Sequence, residues 1–254
     1  MQIIIFFIIL SLIAFIFNYY YSDIVNDNIQ ITFLSSQLTN DFIKRDDDNY
    51  INNFSNADLH ARNVTSKEEY INIILESTGD FNDNDKDKLT KAAKLADIFF
   101  ENNIHYVDSI ISEIPWIFSK LINNKYEDGY PHTRKNIIFL SNNVIDHYKL
   151  CKLAKLLIHE KIHIYQRYFP DKLYNYMKNY EKIKERKLEP LSRSNPDLDE
   201  WIYAYKPNME LLKATYKSET PKNLADIIVP NNDSKFEHPY EFMAYDIIQH
   251  FTCN

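Results

Sequence analysis

The chain has 254 residues, 45% of them hydrophobic and 26% charged, which suits one domain large enough to bury a substantial core. A formal net charge of −7, with no basic patch along the sequence, argues against a nucleic-acid partner. Two cysteines, at 151 and 253, are too few and too far apart for a disulfide framework or a cysteine-based zinc site.

In chain order, residues 3–17 are apolar apart from Ser11, and Tyr19, Tyr20 and Tyr21 follow. As a helix, residues 1–21 would be about 31 Å long, close to a hydrocarbon core of roughly 30 Å, with the tyrosines as an interfacial belt. No small-x-small cleavage site follows and no Lys or Arg precedes, so 1–21 reads as an uncleaved, single-pass membrane anchor. A signal peptide on a secreted protein is the alternative. Residues 22–50 are polar and end in Asp46, Asp47 and Asp48, the composition of a stalk, leaving 51–254 as the folded domain.

Residues 80–87 carry four Asp and read as a solvated acidic loop, because the turn Gly and terminal Glu of a calcium loop are missing. Residues 89–114 read as one or two helices, and 137–140 (Ile-Ile-Phe-Leu) as a strand. A strand about ten residues ahead of the next helix could offer an exposed edge to an extended peptide; an ordinary buried strand is the other reading. Residues 171–189, rich in Lys, Glu and Tyr, read as a surface helix, and 190–235, with several prolines, as largely irregular. The expected class is α+β: a mainly helical domain with a small sheet whose edge strand precedes the active-site helix.

That helix carries the chemistry. From about 146 to 167 there is no Gly or Pro, and Leu150, Leu153, Ala154, Leu157, Ile158, Ile162 and Tyr165 recur at helical spacing. Asn142, Asn143 and Asp146 offer N-terminal caps, and Pro170 stops the run. Within it, residues 159–163 read His-Glu-Lys-Ile-His. Positions i and i+4 share a helix face, so His159 and His163 can aim two imidazoles at one metal ion, most simply Zn²⁺. Glu160 then stands beside the remaining coordination position, where a carboxylate can take a proton from water.

Such a site needs a third protein ligand. Residues 237–246 (Glu-His-Pro-Tyr-Glu-Phe-Met-Ala-Tyr-Asp) read as the start of a second helix, with Pro239 in its first turn. Glu241, on the rigid helix, is preferred as the ligand, with His238, which precedes the proline, as competitor. Cys151, on the metal helix, is most simply a buried thiol; a 151–253 bridge tying the two metal-bearing helices together is the alternative.

With these residues the chain resembles the zincins, metallopeptidases with His-Glu-x-x-His on the active-site helix, and the later Glu places the likeness in the gluzincin-type branch. It is also similar to poorly characterised zincin-like proteins in Pro131-His-Thr-Arg134, in Gln166-Arg167 after the metal motif, in Asn195-Pro-Asp197 and in His238-Pro-x-Glu-x-x-Ala244. Many gluzincins carry an Asp four residues after the Glu ligand, where this chain has Tyr245 and then Asp246. The resemblance implies a zinc-dependent peptidase in which zinc-activated water attacks the peptide bond, with Glu160 as general base and a peptide or protein as substrate. The developing oxyanion needs a further donor; Tyr240, Tyr245, His238 and Arg193 are the candidates, Arg193 being equally suited to a structural ion pair. A catalytically inactive zinc-binding scaffold or interaction protein on a membrane is the alternative function.

Overall fold

The structure, a computed structural model, describes residues 30–253. The expected anchor at 1–21 lies outside the described residues, among which no helix is long and apolar enough to cross a membrane.

The chain enters with strand β1 (Ile31–Phe33), followed by helices α1 (Ser36–Arg45), α2 (Asn56–Ala61) and α3 (Lys67–Leu75). Strand β2 (Thr78–Gly79) leads into α4 (Asp83–Asn102) and the short α5 (Ile110–Glu113). Strands β3 (Trp116–Leu121), β4 (His132–Arg134) and β5 (Ile137–Ser141) complete a five-stranded sheet. Its order is β1-β3-β5-β4, with β2 pairing the second half of β3. β3 runs parallel to β1 and β5, while β4 is antiparallel to β5.

One face of the sheet, with Leu121 and Phe139, packs on Phe42, Ile43, Tyr70 and Ile74 of α1 and α3. Trp116 turns to the other side, towards α4, where its indole N–H donates to Asp97. There α4 packs along α7 (Leu150–Tyr168), which follows the short α6 (Asn142–His147). Beyond α7 come α8 (Tyr174–Met177), an antiparallel sheet of β6 (Tyr180–Glu185), β7 (Trp201–Tyr205) and β8 (Glu210–Leu212), and a β9 (Thr215–Tyr216)–β10 (Ile227–Ile228) pair. Helix α9 (Pro239–Ile248) closes the fold against α7. The architecture is α+β.

Several sequence expectations are corrected. The folded domain already includes residues from Ile31, within the expected stalk: Ile31 to Phe33 pair with β3, and α1 buries Thr39, Phe42 and Ile43. Asp46 and Asp48, read as the end of the stalk, are ion-pair partners of the buried Arg134. Most of the acidic 80–87 segment is the first turn of α4, where Asn82 caps the helix and Asp85 completes a capping box. Asp85 also pairs with Lys120 of β3 at 2.6 Å.

The strand at Ile137–Ser141 is interior and wholly buried, with neighbours on both sides; the sheet edge near α7 is β4. Even that edge is covered, because the Thr133 N–H donates to Asp197 at 2.6 Å where an added peptide strand would bond. Helix α7 starts at Leu150, since Tyr148 is extended and separates it from α6, so Asn142, Asn143 and Asp146 do not cap it. The 171–189 segment contains β6 in place of a long helix, because Trp201–Tyr205, inside the stretch read as irregular, supplies the partner strand. Of the two cysteine readings, the structure takes the bridge: Cys151 in the first turn of α7 is bonded to Cys253 beyond α9, with Cα atoms 5.9 Å apart.

Candidate metal centre

Helix α7 presents His159, Glu160 and His163, and α9 brings Glu241 to them. Glu241 sits in the first turn of α9 because Pro239 opens the helix and His238 caps it, the backbone N–H of Tyr240 donating to His238 Nδ1 at 3.1 Å. The two Nε2 atoms are 3.0 Å apart. Glu241 completes the group, Oε2 lying 3.4 Å from His159 Nε2 and Oε1 3.8 Å from His163 Nε2. Taking one donor atom from each residue, all lie within 4.8 Å of one another. Zinc bonds of about 2.1 Å at tetrahedral angles place neighbouring ligand atoms about 3.4 Å apart. The spacing and the two-imidazole, one-carboxylate donor set both fit zinc.

The protonation pattern fits as well. Gln166 Nε2 donates to the Tyr240 carbonyl at 3.0 Å, which turns its Oε1 to His163 Nδ1 at 2.9 Å. That oxygen can only accept, so the proton of His163 sits on Nδ1 and Nε2 carries a lone pair into the site. Burial pushes the His163 imidazole down to about 3, keeping it neutral. Burial opposes ionisation of Glu241 but is outweighed by His163, His159 and Arg193, which hold its carboxyl below the usual range.

Glu160 is buried, and its Oε2 has no hydrogen-bond partner. Burial first, then the nearby Asp197 and Glu241 carboxylates, push its carboxyl well above the ordinary value. It borders a cleft of about 590 Å³ together with His159 and Glu241. A raised carboxyl beside such a cleft is suited to exchanging protons.

The remaining sequence candidates divide. His238 is excluded as a ligand: Nδ1 accepts from Tyr240, and Nε2 donates to Asp199 at 3.1 Å, so both ring nitrogens are committed. Tyr240 is buried and does not border the cleft, which takes it out of the donor set. Tyr245 does border it, its ring edge-on to His159 with centroids 5.0 Å apart. Arg193 also borders the cleft, but Nε and a terminal nitrogen both bond Glu237, the ion-pair reading.

Several residues given no role by sequence reasoning support the centre. Gln166 orients His163, and Asn195 Nδ2 lies 3.5 Å from Glu241 Oε1. Arg167, in the last turn of α7, donates to the carbonyls of Lys135 and Pro196, joining the helix to the β4–β5 turn and the 195–197 loop. Lys161, wholly buried, pairs with Asp97 of α4 at 2.7 Å. Gln166 three residues after the candidate ligand His163 is a usable signal; Lys161 gives none, because its partner lies 64 positions away.

Compared with protein-family models, curated proteins and solved structures, the chain matches none.

Proposed function

We propose that this chain is a zincin-like, gluzincin-type zinc peptidase, tethered to a membrane by residues 1–21. The observation that carries the reading is the convergence of His159, His163 and Glu241, from two helices, on one point beside a cleft. Zinc bound there would supply Lewis acidity, activating water near neutral pH and polarising a carbonyl.

Glu160 takes the proton of the attacking water as the new C–O bond forms, and delivers it to the amide nitrogen as the C–N bond breaks. Its freedom from other hydrogen bonds leaves it available for both transfers. Gln166 holds His163 in the tautomer that offers Nε2. Tyr245, at the cleft next to His159, is the favoured donor to the developing oxyanion.

The test is cleavage of an unstructured peptide library by purified protein, before and after chelation and after zinc is restored. Cleavage that stops with chelator and returns with zinc supports the reading. Stoichiometric zinc without cleavage replaces it with the scaffold alternative.

A further inference from the structure

We infer that the cleft recognises a protonated amine of its substrate, through His132 and Asp197. This rests on the peptidase reading and specifies which peptides the site takes.

His132, on β4, is buried and borders the same cleft as His159, Glu160 and Glu241. Its Nδ1 lies 2.9 Å from the Tyr130 carbonyl, which can only accept, so the ring proton is on Nδ1 and Nε2 holds a lone pair. That Nε2 is buried without a partner. The ring cannot swing away to find one, since it stacks on Phe139 with centroids 5.1 Å apart and 3° between planes. Tyr126 packs against it edge to face. Burial also lowers its basicity, which keeps it an acceptor.

Asp197 is fixed beside it. Its Oδ1 accepts from the N–H of Thr133 at 2.6 Å and from the Thr133 hydroxyl at 2.7 Å, so it is anchored to the residue next to His132. Its Oδ2 accepts from no described residue, and burial raises its carboxyl above the ordinary range. The cations bordering the cleft are otherwise disposed. Arg193 is committed to Glu237, and Lys152 lies 3.6 Å from the Tyr148 ring centroid, while Lys155 is exposed.

With Asp197 ionised, the form that a neighbouring ammonium favours, the pair offers acceptors only. A substrate carbonyl or carboxylate would be repelled there, whereas an ammonium brings donors and a compensating charge. Unmade hydrogen bonds at buried groups are costly, so a ligand that makes them gains affinity. Either a free α-amino terminus or a basic side chain carries this chemistry.

The experiment is calorimetric titration of the full, zinc-loaded chain with three hydroxamates, which anchor on the metal. Norleucine hydroxamate has the free α-amine, Nα-acetyl-lysine hydroxamate has the side-chain amine, and Nα-acetyl-norleucine hydroxamate has neither. One amine-bearing probe is expected to bind at least tenfold tighter than the amine-free probe, and which one does so identifies the source. Asp197→Asn is expected to remove that advantage, and His132→Phe, which keeps the aromatic stack, to reduce it. Equal affinities for all three probes, no binding to zinc-loaded protein, or an advantage that survives both substitutions overturns the inference while leaving the zinc site standing. A chain that holds no zinc overturns the peptidase reading beneath it.

Discussion

His163 and Gln166 lie three residues apart on α7 and share a hydrogen bond of 2.9 Å between Nδ1 and Oε1. Gln166 also reaches across to α9, donating to the Tyr240 carbonyl at 3.0 Å, one residue before the candidate ligand Glu241. One side chain therefore sets the tautomer of one candidate ligand and the position of the helix that carries another.

Gln166→Leu removes both bonds with little change in volume. Zinc affinity is expected to fall about 10- to 100-fold, the usual consequence of losing a partner that orients a metal-bound imidazole. Competition with a chromophoric chelator measures it; an unchanged affinity would remove Gln166 from the account.

Glu160→Gln keeps the shape of the side chain but cannot accept a proton. Zinc content should match wild type, while turnover of a cleaved peptide should fall by at least about 100-fold. Hydrolysis at the wild-type rate would show that the base is another group.

The buried Lys161–Asp97 pair predicts a stability effect separate from the chemistry. Lys161→Met leaves Asp97 with only the Trp116 indole as donor. Removing one partner of a buried pair costs about 3–5 kcal/mol. Urea unfolding of the metal-free protein tests this, and a loss below about 1 kcal/mol would mean that the pair contributes no more than a surface bridge.

Acid should destabilise the metal-free protein through His163. Its folded-state value of about 3 lies below the ordinary 6.5, so the unfolded chain binds the proton more readily between these values. Stability is therefore full above about pH 6.5 and is lost as pH falls towards about 3, by up to about 1.4 kcal/mol per pH unit. His163→Asn should flatten the profile measured from pH 7 to pH 5. An equally steep profile in the variant would assign the proton uptake elsewhere.

What the sequence disclosed was local. His159, Glu160 and His163 are legible because a spacing of four maps directly onto a helix face, and Glu241 because Pro239 marks a first turn. The choice of Glu241 over His238 was weak in sequence, since the bond that commits the His238 ring to Asp199 spans 39 positions. For the same reason β5 could not be told from an edge strand: its neighbours, β3 and β4, are set by tertiary pairing. Polar composition hid the amphipathic stripe of α1 and the role of Asp46 and Asp48 as counter-ions to Arg134. It also made 171–189 read as a surface helix, where the β7 partner draws residues 180–185 into a strand. The 151–253 bridge depended on α9 lying along α7, and no spacing rule could supply that.

The central claim is tested most directly by metal analysis of purified protein, wild type beside Glu241→Ala and His238→Ala. The account predicts about one zinc per chain in the wild type and in His238→Ala, and a large loss in Glu241→Ala. Zinc retained in Glu241→Ala but lost in His238→Ala, or no zinc in any of the three, would contradict it.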